Sequence, residues 1–197
     1  MKPVNGFQSQ APGASYPMLP KGAYVCAIQN VKIEGQEPDQ QLMLRLEIIE
    51  GPYAGYYTKR YKTESANTMS RYPAKYKGDL AIQIPNEANA KRAHHEWDLN
   101  TFNRAIGAIE ASNEGYHWDW NEIGLKGKVV GVSVQLGTYN GVEFTRPRRL
   151  EDANQVREGK VKPMKDSEPR MDGDNGGYAG ASDPSGFTPV ETDELPF

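Results

Sequence analysis

Apolar and polar positions alternate along the first part of the chain with the two-residue period of β-strands. The pattern runs through residues 22–34, where its phase reverses near Asn30 and so predicts a bulge. Residues 42–48 place leucine or isoleucine at every second position, which predicts a strand with one face in the core. Turn-forming residues 50–55 and the β-rich residues 56–63 follow, so we predict that the second and third strands form a hairpin.

The middle of the chain has a different period. Residues 64–96 show no regular pattern, whereas apolar residues recur at spacings of three and four over residues 99–109. That spacing predicts an amphipathic helix, which Asp98 or Asn100 can cap and which the turn residues 113–115 would end. The tryptophans that flank this helix are expected to pack on it, although an exposed one could stack on a base; they are Trp97, Trp118 and Trp120.

Alternation returns over residues 130–136 and again at residues 142–144. Asn140 and Gly141 lie between these stretches, and both residue types tolerate positive φ, so they predict a tight hairpin. The resulting order is three strands, one helix and a two-stranded hairpin. A mainly β fold, the five-stranded OB-fold barrel with its helix between strands three and four, has this order. An open α+β sandwich is the alternative.

Composition divides the 197-residue chain into three parts. Residues 1–20 are rich in Gln, Ser, Gly and Pro and predict a flexible lead-in, while the acidic, Gly- and Pro-rich residues 166–197 predict a disordered tail. Residues 21–165 would then form one domain. Cys26 is the single cysteine and is expected to be a core residue rather than a nucleophile. We expect no cofactor and, because no secretory signal or membrane-spanning run is visible, a cytoplasmic protein.

Charge is distributed unevenly along the chain. Residues 1–150 hold 18 basic and 15 acidic side chains, or +3, whereas residues 151–197 hold 5 and 11, or −6. A basic body with an acidic tail is typical of a nucleic-acid-binding protein with an interaction tail, although it also fits a solvated linker. Residues 53–77 concentrate the positive charge, with six basic residues, one acid and six of the eleven tyrosines.

This mixture of tyrosines and cations suits single-stranded nucleic acid. Cations follow the phosphates, and aromatic rings stack on bases for about 1–3 kcal/mol each, whatever the base sequence. The predicted phosphate contacts are Lys59, Arg60, Lys62, Arg71 and Lys75, and the stacking residues are drawn from Tyr57, Tyr61, Tyr72, Tyr76 and Tyr139. Alternatively some of the tyrosines fill the barrel, and for Tyr57 and Tyr61 the two interpretations are equally good.

An OB barrel usually binds its ligand on strands two and three and on the loops joining strands one to two and four to five. The leucines of the second strand point inward, so Arg45 should point outward onto this face. Tyr139 would lie at the tip of the last hairpin, and Pro147 places the residues around it at an edge. The basic cluster there completes the predicted DNA-binding set with Arg146, Arg148 and Arg149. These arginines could equally pair with Glu151 and Asp152.

Signatures of catalysis are weak. His94, Glu96 and Asp98 would be the ligands of a metal-dependent nuclease, but the adjacent His95 points away from His94 and no second cluster supplies further ligands. The sequence has no phosphate-binding glycine and lysine loop, no nucleophile elbow and no dinucleotide fingerprint. We therefore expect a protein that is not an enzyme and holds no metal, and we keep the nuclease as an alternative.

The chain ends in an acidic run that closes on an aromatic residue. This terminal tip consists of Asp193, Glu194, Leu195, Pro196 and Phe197. A phenylalanine beside several carboxylates can be captured by a hydrophobic pocket with a basic rim, so the tip predicts a contact with partner proteins.

The tip resembles that of bacterial single-stranded-DNA-binding proteins, whose Gly- and Pro-rich tail ends in acids followed by Ile/Leu-Pro-Phe. The body resembles small phage-encoded proteins of the same role, loosely over residues 19–165. The similar segments are residues 19–24, residues 42–55, and residues 125–128 leading to residues 139–141. The long irregular segment 64–96 departs from the bacterial family, so its base-stacking positions cannot be carried over individually.

The resemblance implies an OB barrel that coats single-stranded DNA during replication, recombination and repair in the host cytoplasm. It also implies a tip that recruits partner enzymes and a tail that competes with DNA for the basic face. Two other binding functions remain open. One is a recombination mediator or strand-annealing protein that uses the same barrel, and the other is an adaptor with no nucleic-acid role.

Overall fold

The computed structural model describes residues 16–66 and 73–171. The strands in these ranges are β1 (Gly22–Glu34), β2 (Gln41–Ile48), β3 (Asp79–Gln83), β4 (Val129–Tyr139) and β5 (Val142–Glu151). The α-helices are α1 (Tyr56–Ser65), α2 (His95–Ser112) and α3 (Ala153–Arg157). Single 3-10 turns cover Glu87–Asn89 and Glu122–Leu125.

The five strands form one open antiparallel sheet in the order β3-β2-β1-β4-β5. β1 is central, and its pairing with β2 shifts register between Ile28 and Asn30, which confirms the predicted bulge. Because the sheet contains five strands, the prediction of a mainly β fold is confirmed. β3 and β5 are the two edges of the sheet, and their Cα atoms come within 8 Å of each other.

The core lies between the inner face of the sheet and helix α2. Leu42, Leu44 and Leu46 of β2 are at most 2 % exposed, as their alternation predicted. Helix α2 supplies Phe102 and Ile109 from the predicted apolar face. Cys26 is also buried in this core, and burial raises the pKa of its thiol well above the usual range. Its predicted role as a core residue is confirmed.

The predicted third strand is wrong, because residues 56–63 belong to helix α1. Gly55 turns the chain with φ 75°, and the carboxylate of Glu47 then accepts the first helical N–H groups, from Tyr57 and Thr58. These contacts outweigh the β-propensity of the tyrosines and threonines. The third strand is instead β3, which lies in the segment predicted to be irregular. The predicted hairpin between the second and third strands is therefore also wrong.

Helix α2 begins earlier than its sequence indicated. His94 occupies the cap position, so Asp98 and Asn100 are inside the helix and do not cap it. The predicted end is confirmed, since the helix ends at Ser112. The Asn113 side chain then joins the helix to β4, donating to the Val129 carbonyl (2.7 Å) and accepting from the Val129 N–H (3.1 Å).

The hairpin between β4 and β5 is confirmed. Asn140 and Gly141 form its turn with φ values of 49° and 76°. Pro147 lies in β5, an edge strand, where the pairing with β4 shifts register.

The folded part extends beyond both ends predicted for the domain. Leu19, in the predicted lead-in, is 1 % exposed, and its carbonyl accepts from the Thr145 hydroxyl (2.8 Å). Residues 165–170, which we call the strap, lie along β4 where β1 no longer pairs with it. Ser167 N–H donates to the Leu136 carbonyl (2.9 Å) and Arg170 N–H to the Thr138 carbonyl (3.0 Å). The predicted tail, residues 166–197, is therefore bonded to the sheet at Ser167 and Arg170.

No helix within the two described ranges is both long enough and apolar enough to cross a membrane.

Candidate nucleic-acid interface

The outer face of β1, β2 and β3 carries polar side chains in register. Arg45 of β2 lies between Asn30 of β1 and Asp79 of β3, and Met43 lies beside Lys32. Together with Leu44 these residues line a shallow pocket of about 100 Å³. The prediction that Arg45 points away from the core is confirmed, since 43 % of its side chain is exposed.

Arg45 is held in place by two neighbours. Its Nε and Nη2 atoms donate to the two carboxylate oxygens of Asp79 at 2.9 and 3.0 Å, and these hydrogen bonds raise the pKa of Arg45. Its Cζ atom lies 4.7 Å from the centre of the Tyr76 ring, a cation–π contact. The guanidinium is therefore oriented in advance over the face, although Asp79 neutralises much of its charge.

Tyr61 and Tyr76 extend this face toward helix α1. Their ring centres are 5.9 Å apart, and Tyr61 is 41 % exposed. The Tyr76 hydroxyl lies 3.1 Å from both the Leu46 carbonyl and Glu47 Oε2, which fixes the ring. Burial raises the pKa of Tyr76 well above its usual range, so the hydroxyl stays protonated. The result is an exposed aromatic ring supported by a fixed one.

Glu47 positions helix α1 at the end of this face. Its side chain is 5 % exposed and accepts backbone hydrogen bonds from Ile48 (3.1 Å), Tyr57 (3.0 Å) and Thr58 (2.7 Å), and one from the Thr58 hydroxyl. The N-terminus of a helix carries unpaired N–H groups and partial positive charge, so a carboxylate there is favourable. This arrangement determines where α1 presents Tyr61.

Tyr57 lies in the core and not on this face, so its prediction as a stacking residue is wrong. It is 2 % exposed, and its ring lies 5.4 Å from that of Tyr56 and 6.1 Å from that of Tyr76. Gly78 passes directly over it, because a Cβ atom at Gly78 would lie 2.8 Å from the Tyr57 ring. The ring therefore fills the core, which was the alternative interpretation of this residue.

The predicted phosphate contacts differ in how accessible their charges are. Lys59 is exposed and donates to the Ala54 carbonyl at 3.0 Å. Arg60 pairs with Glu64 at 2.6 Å, so its charge is largely compensated within the helix. Lys62 and Lys75 are exposed. The remaining two members of the predicted set, Arg71 and Tyr72, lie outside the described residues.

A second group of predicted residues lies on the β4–β5 hairpin. Tyr139 is 47 % exposed beside the turn. Arg148 is exposed, whereas Arg149 pairs with Glu151, as the alternative interpretation allowed. Asp152 does not pair with these arginines in any contact described, and its side chain caps α3 instead.

Arg146, the remaining predicted arginine of the hairpin, lies beside an aromatic ring. Arg146 lies 5.8 Å from the centre of the Phe144 ring, measured at Cζ. The predicted tip, residues 193–197, lies outside the described residues.

The candidate metal ligands lie at the start of α2, where His94 is the N-cap residue and Glu96 follows in the first turn. His95 Nδ1 lies 3.0 Å from the Asn89 side-chain oxygen. Desolvation raises the pKa of Asp98, in the first turns of α2. Across residues 16–66 and 73–171, no three His, Cys, Asp or Glu side chains are grouped so as to hold a metal ion.

Sequence reasoning missed part of the interface. Asn30 and Lys32 were not identified, because the bulge in β1 decides which face they occupy. Asp79 was missed because β3 was not predicted. The alternation of β2 could have predicted that Met43 lies on the outer face, since Met43 is two residues from Arg45.

In comparisons with known proteins, no protein-family profile matches this chain, and no curated protein matches it either.

Proposed function

We propose that this protein is an OB-fold protein that binds single-stranded DNA with little sequence preference and does not act as an enzyme. The binding surface is the outer face of β1, β2 and β3, together with α1 and the β4–β5 hairpin. The observation that carries the proposal is the set formed by Arg45, Tyr61 and Tyr76, which joins an exposed aromatic ring to an oriented cation on one face.

The strand order supports the OB assignment. An OB barrel is a five-stranded, partly open barrel, and here β1 pairs with both β2 and β4 while β3 and β5 approach each other at the edges. Helix α2 lies between β3 and β4 in the chain and contacts both. In such a barrel the outer face of strands two and three is the usual ligand site.

The chemistry of the face supports a single strand rather than a duplex. Tyr61 offers an exposed ring for stacking, and stacking requires a base that is not enclosed in a helix. The exposed lysines Lys59, Lys62 and Lys75 lie on α1 and on the segment that leads to β3, where they can follow a phosphate backbone. Few of these groups can read base edges, so affinity should depend little on base sequence.

The terminal tip would recruit replication, recombination or repair proteins to the bound strand. Its acids and terminal phenylalanine are suited to a hydrophobic pocket with a basic rim. A strand-annealing or recombination-mediating activity would use the same face, and an assay of annealing between complementary strands would reveal it.

The test is a fluorescence anisotropy titration of labelled oligo-dT with the full chain. We expect log affinity to fall with log salt by about 0.7 for each phosphate neutralised. Tyr61→Ala should weaken binding by about 1–3 kcal/mol, the contribution of one stacked base. Tyr61→Phe keeps the ring and is the matched control, with affinity close to that of the unmodified chain.

Two results would contradict the proposal. One is an affinity for oligo-dT that does not change with salt. The other is equal binding by Tyr61→Ala and Tyr61→Phe, since the ring would then contribute nothing. Duplex DNA of the same length serves as the competitor, and we expect it to bind more weakly.

A further inference from the structure

A second aromatic surface lies on the segment that follows α2. Trp120 is 74 % exposed, and its ring centre lies 4.8 Å from that of Trp118 and 6.5 Å from that of Phe102. Phe102 is 3 % exposed and belongs to the core. We call these three rings the tryptophan platform. Trp118 and Trp120 were expected to pack on the helix, but the ring of Trp120 is largely exposed to solvent.

Hydrogen bonds to helix α2 and within the loop hold the platform in place. The Trp118 N–H donates to Glu110 Oε1 (2.8 Å), and the Trp118 indole N–H donates to the Asn121 carbonyl (3.1 Å). The Asn121 N–H donates to Asp119 Oδ1 (3.1 Å). Trp120 itself has φ 68°, a left-handed conformation that bulky L residues rarely adopt. The loop therefore keeps Trp120 turned outward in advance of any contact.

The charge around the platform is the opposite of that on the DNA face. Residues 94–128 contain six acids and three basic residues, or −3 with neutral histidines, whereas residues 53–77 carry +5. Asp119 is exposed and Glu122 half-buried beside the platform, and Ile123 is 69 % exposed. Lys128, at the end of this segment, lies over the Tyr116 ring (3.9 Å). An anionic rim repels phosphates, so base stacking is disfavoured here although the rings suit it.

The chain's own C-terminal residues have the wrong charge to occupy this surface. Residues 172–197 contain six acids and no Lys or Arg, so they would meet a surface of the same sign. A cationic segment has the complementary charge, and arginine has in addition a planar guanidinium that stacks on indole rings and pairs with carboxylates.

We infer that the tryptophan platform binds a basic segment of a partner protein, with an arginine of that segment stacked on the exposed face of Trp120 and paired with Glu122 or Asp119. This inference does not depend on the proposed DNA binding. It gives the molecule two surfaces of opposite charge, so that one copy can hold an anionic ligand and a cationic one together.

The test follows the indole N–H signals of the full chain by NMR during titration with a hexa-arginine peptide. Trp120 is identified by the signal missing from Trp120→Ala. We expect hexa-arginine to shift the Trp120 signal and a hexa-lysine peptide of equal charge to shift it much less. The dissociation constant read from this local shift distinguishes the platform from the acidic tail, which attracts both peptides alike.

Variants make the test sharper. Glu122→Gln should weaken the hexa-arginine affinity read at Trp120 by about two- to fivefold, since it removes one partly exposed charge contact. The matched control is Trp97→Ala, which removes another exposed tryptophan flanked by the acids Glu96 and Asp98 but outside the platform. That variant should leave the Trp120 shift unchanged.

Three results would overturn the inference. The first is an unchanged Trp120 signal at saturating hexa-arginine. The second is an equal shift with hexa-lysine, which would mean that charge alone acts. The third is a larger shift with oligo-dT than with hexa-arginine, which would make the platform a DNA contact.

Discussion

Replacing Glu47 by glutamine tests how helix α1 is held on the outer face. The carboxylate accepts from the N–H groups of Ile48, Tyr57 and Thr58, and Thr58 adds its hydroxyl. A glutamine can keep one acceptor oxygen for Ile48 and Tyr57, but its amide NH2 then faces the Thr58 N–H. The Thr58 N–H then loses the only acceptor that the described residues give it. The hydrogen bonds from Ile48 and Tyr57 remain, but their acceptor becomes a neutral amide oxygen.

The expected cost follows from these contacts. A buried donor left unsatisfied costs about 1–3 kcal/mol, and hydrogen bonds to charged groups exceed neutral ones by roughly 1 kcal/mol. Glu47→Gln should therefore lower the free energy of unfolding by about 2–4 kcal/mol. Urea denaturation followed by tryptophan fluorescence measures this change as a shift of the midpoint with an unchanged slope.

The matched control is Glu64→Gln, which removes a carboxylate from the same helix. Glu64 is partly exposed and pairs with Arg60 one turn away, a contact worth about 0.2–0.5 kcal/mol. Should the two variants lose the same stability, the carboxylate of Glu47 would not be what fixes α1, and the origin of this helix would need another explanation.

Three further predictions address the interface, the strap and the response to alkali. Asp79→Asn should free Arg45 from its ion pair and raise the affinity for oligo-dT. The slope of log affinity against log salt should steepen by up to about 0.7, the value for one added phosphate contact. Fluorescence anisotropy measures both quantities, and a lower affinity would count against a role for Arg45. Gly137→Ala should lower the free energy of unfolding by about 1–3 kcal/mol, because the new Cβ would lie 2.8 Å from Ser167 Oγ and from the Phe144 ring. Hydrogen exchange at the Ser167 amide should become faster, and an unchanged exchange rate would contradict the strap contact. Burial raises the pKa of Tyr24 to about 12, so between pH 10 and 12 the unfolded chain loses a proton that the folded chain keeps. The free energy of unfolding should therefore fall as the pH rises. Urea titrations at pH 9 and 11.5 measure this fall, which should be smaller in Tyr24→Phe.

The elements that could be predicted from the sequence are those determined locally. The leucine alternation of β2 defines its buried face, and the positive φ of Asn140 and Gly141 defines the last hairpin. The leucines that alternate in β2 are the side chains that pack in the core, and Asn140 and Gly141 themselves form the turn of the hairpin. Arg45 could be placed on the outer face for the same reason.

The elements that could not be predicted depend on distant residues. Helix α1 begins where Glu47, ten residues earlier, accepts its first N–H groups, and no local pattern indicates this. β3 has five residues, too few to show a period, and it is defined by pairing with β2. The exposure of Trp120 depends on a loop that its neighbours hold in a left-handed conformation. Because Asp79 and the position of Tyr61 follow from β3 and α1, much of the interface was not visible in the sequence.

The strap fixes where the rest of the chain starts. Arg170 is bonded to both Thr138 and Asn140, so residue 171 leaves the sheet next to the exposed ring of Tyr139. The 26 residues from 172 to 197 can span no more than about 90 Å even when fully stretched. Any partner that bound residues 193–197, as proposed above, would therefore lie within this distance of the sheet edge where Gly137 leaves room for the strap.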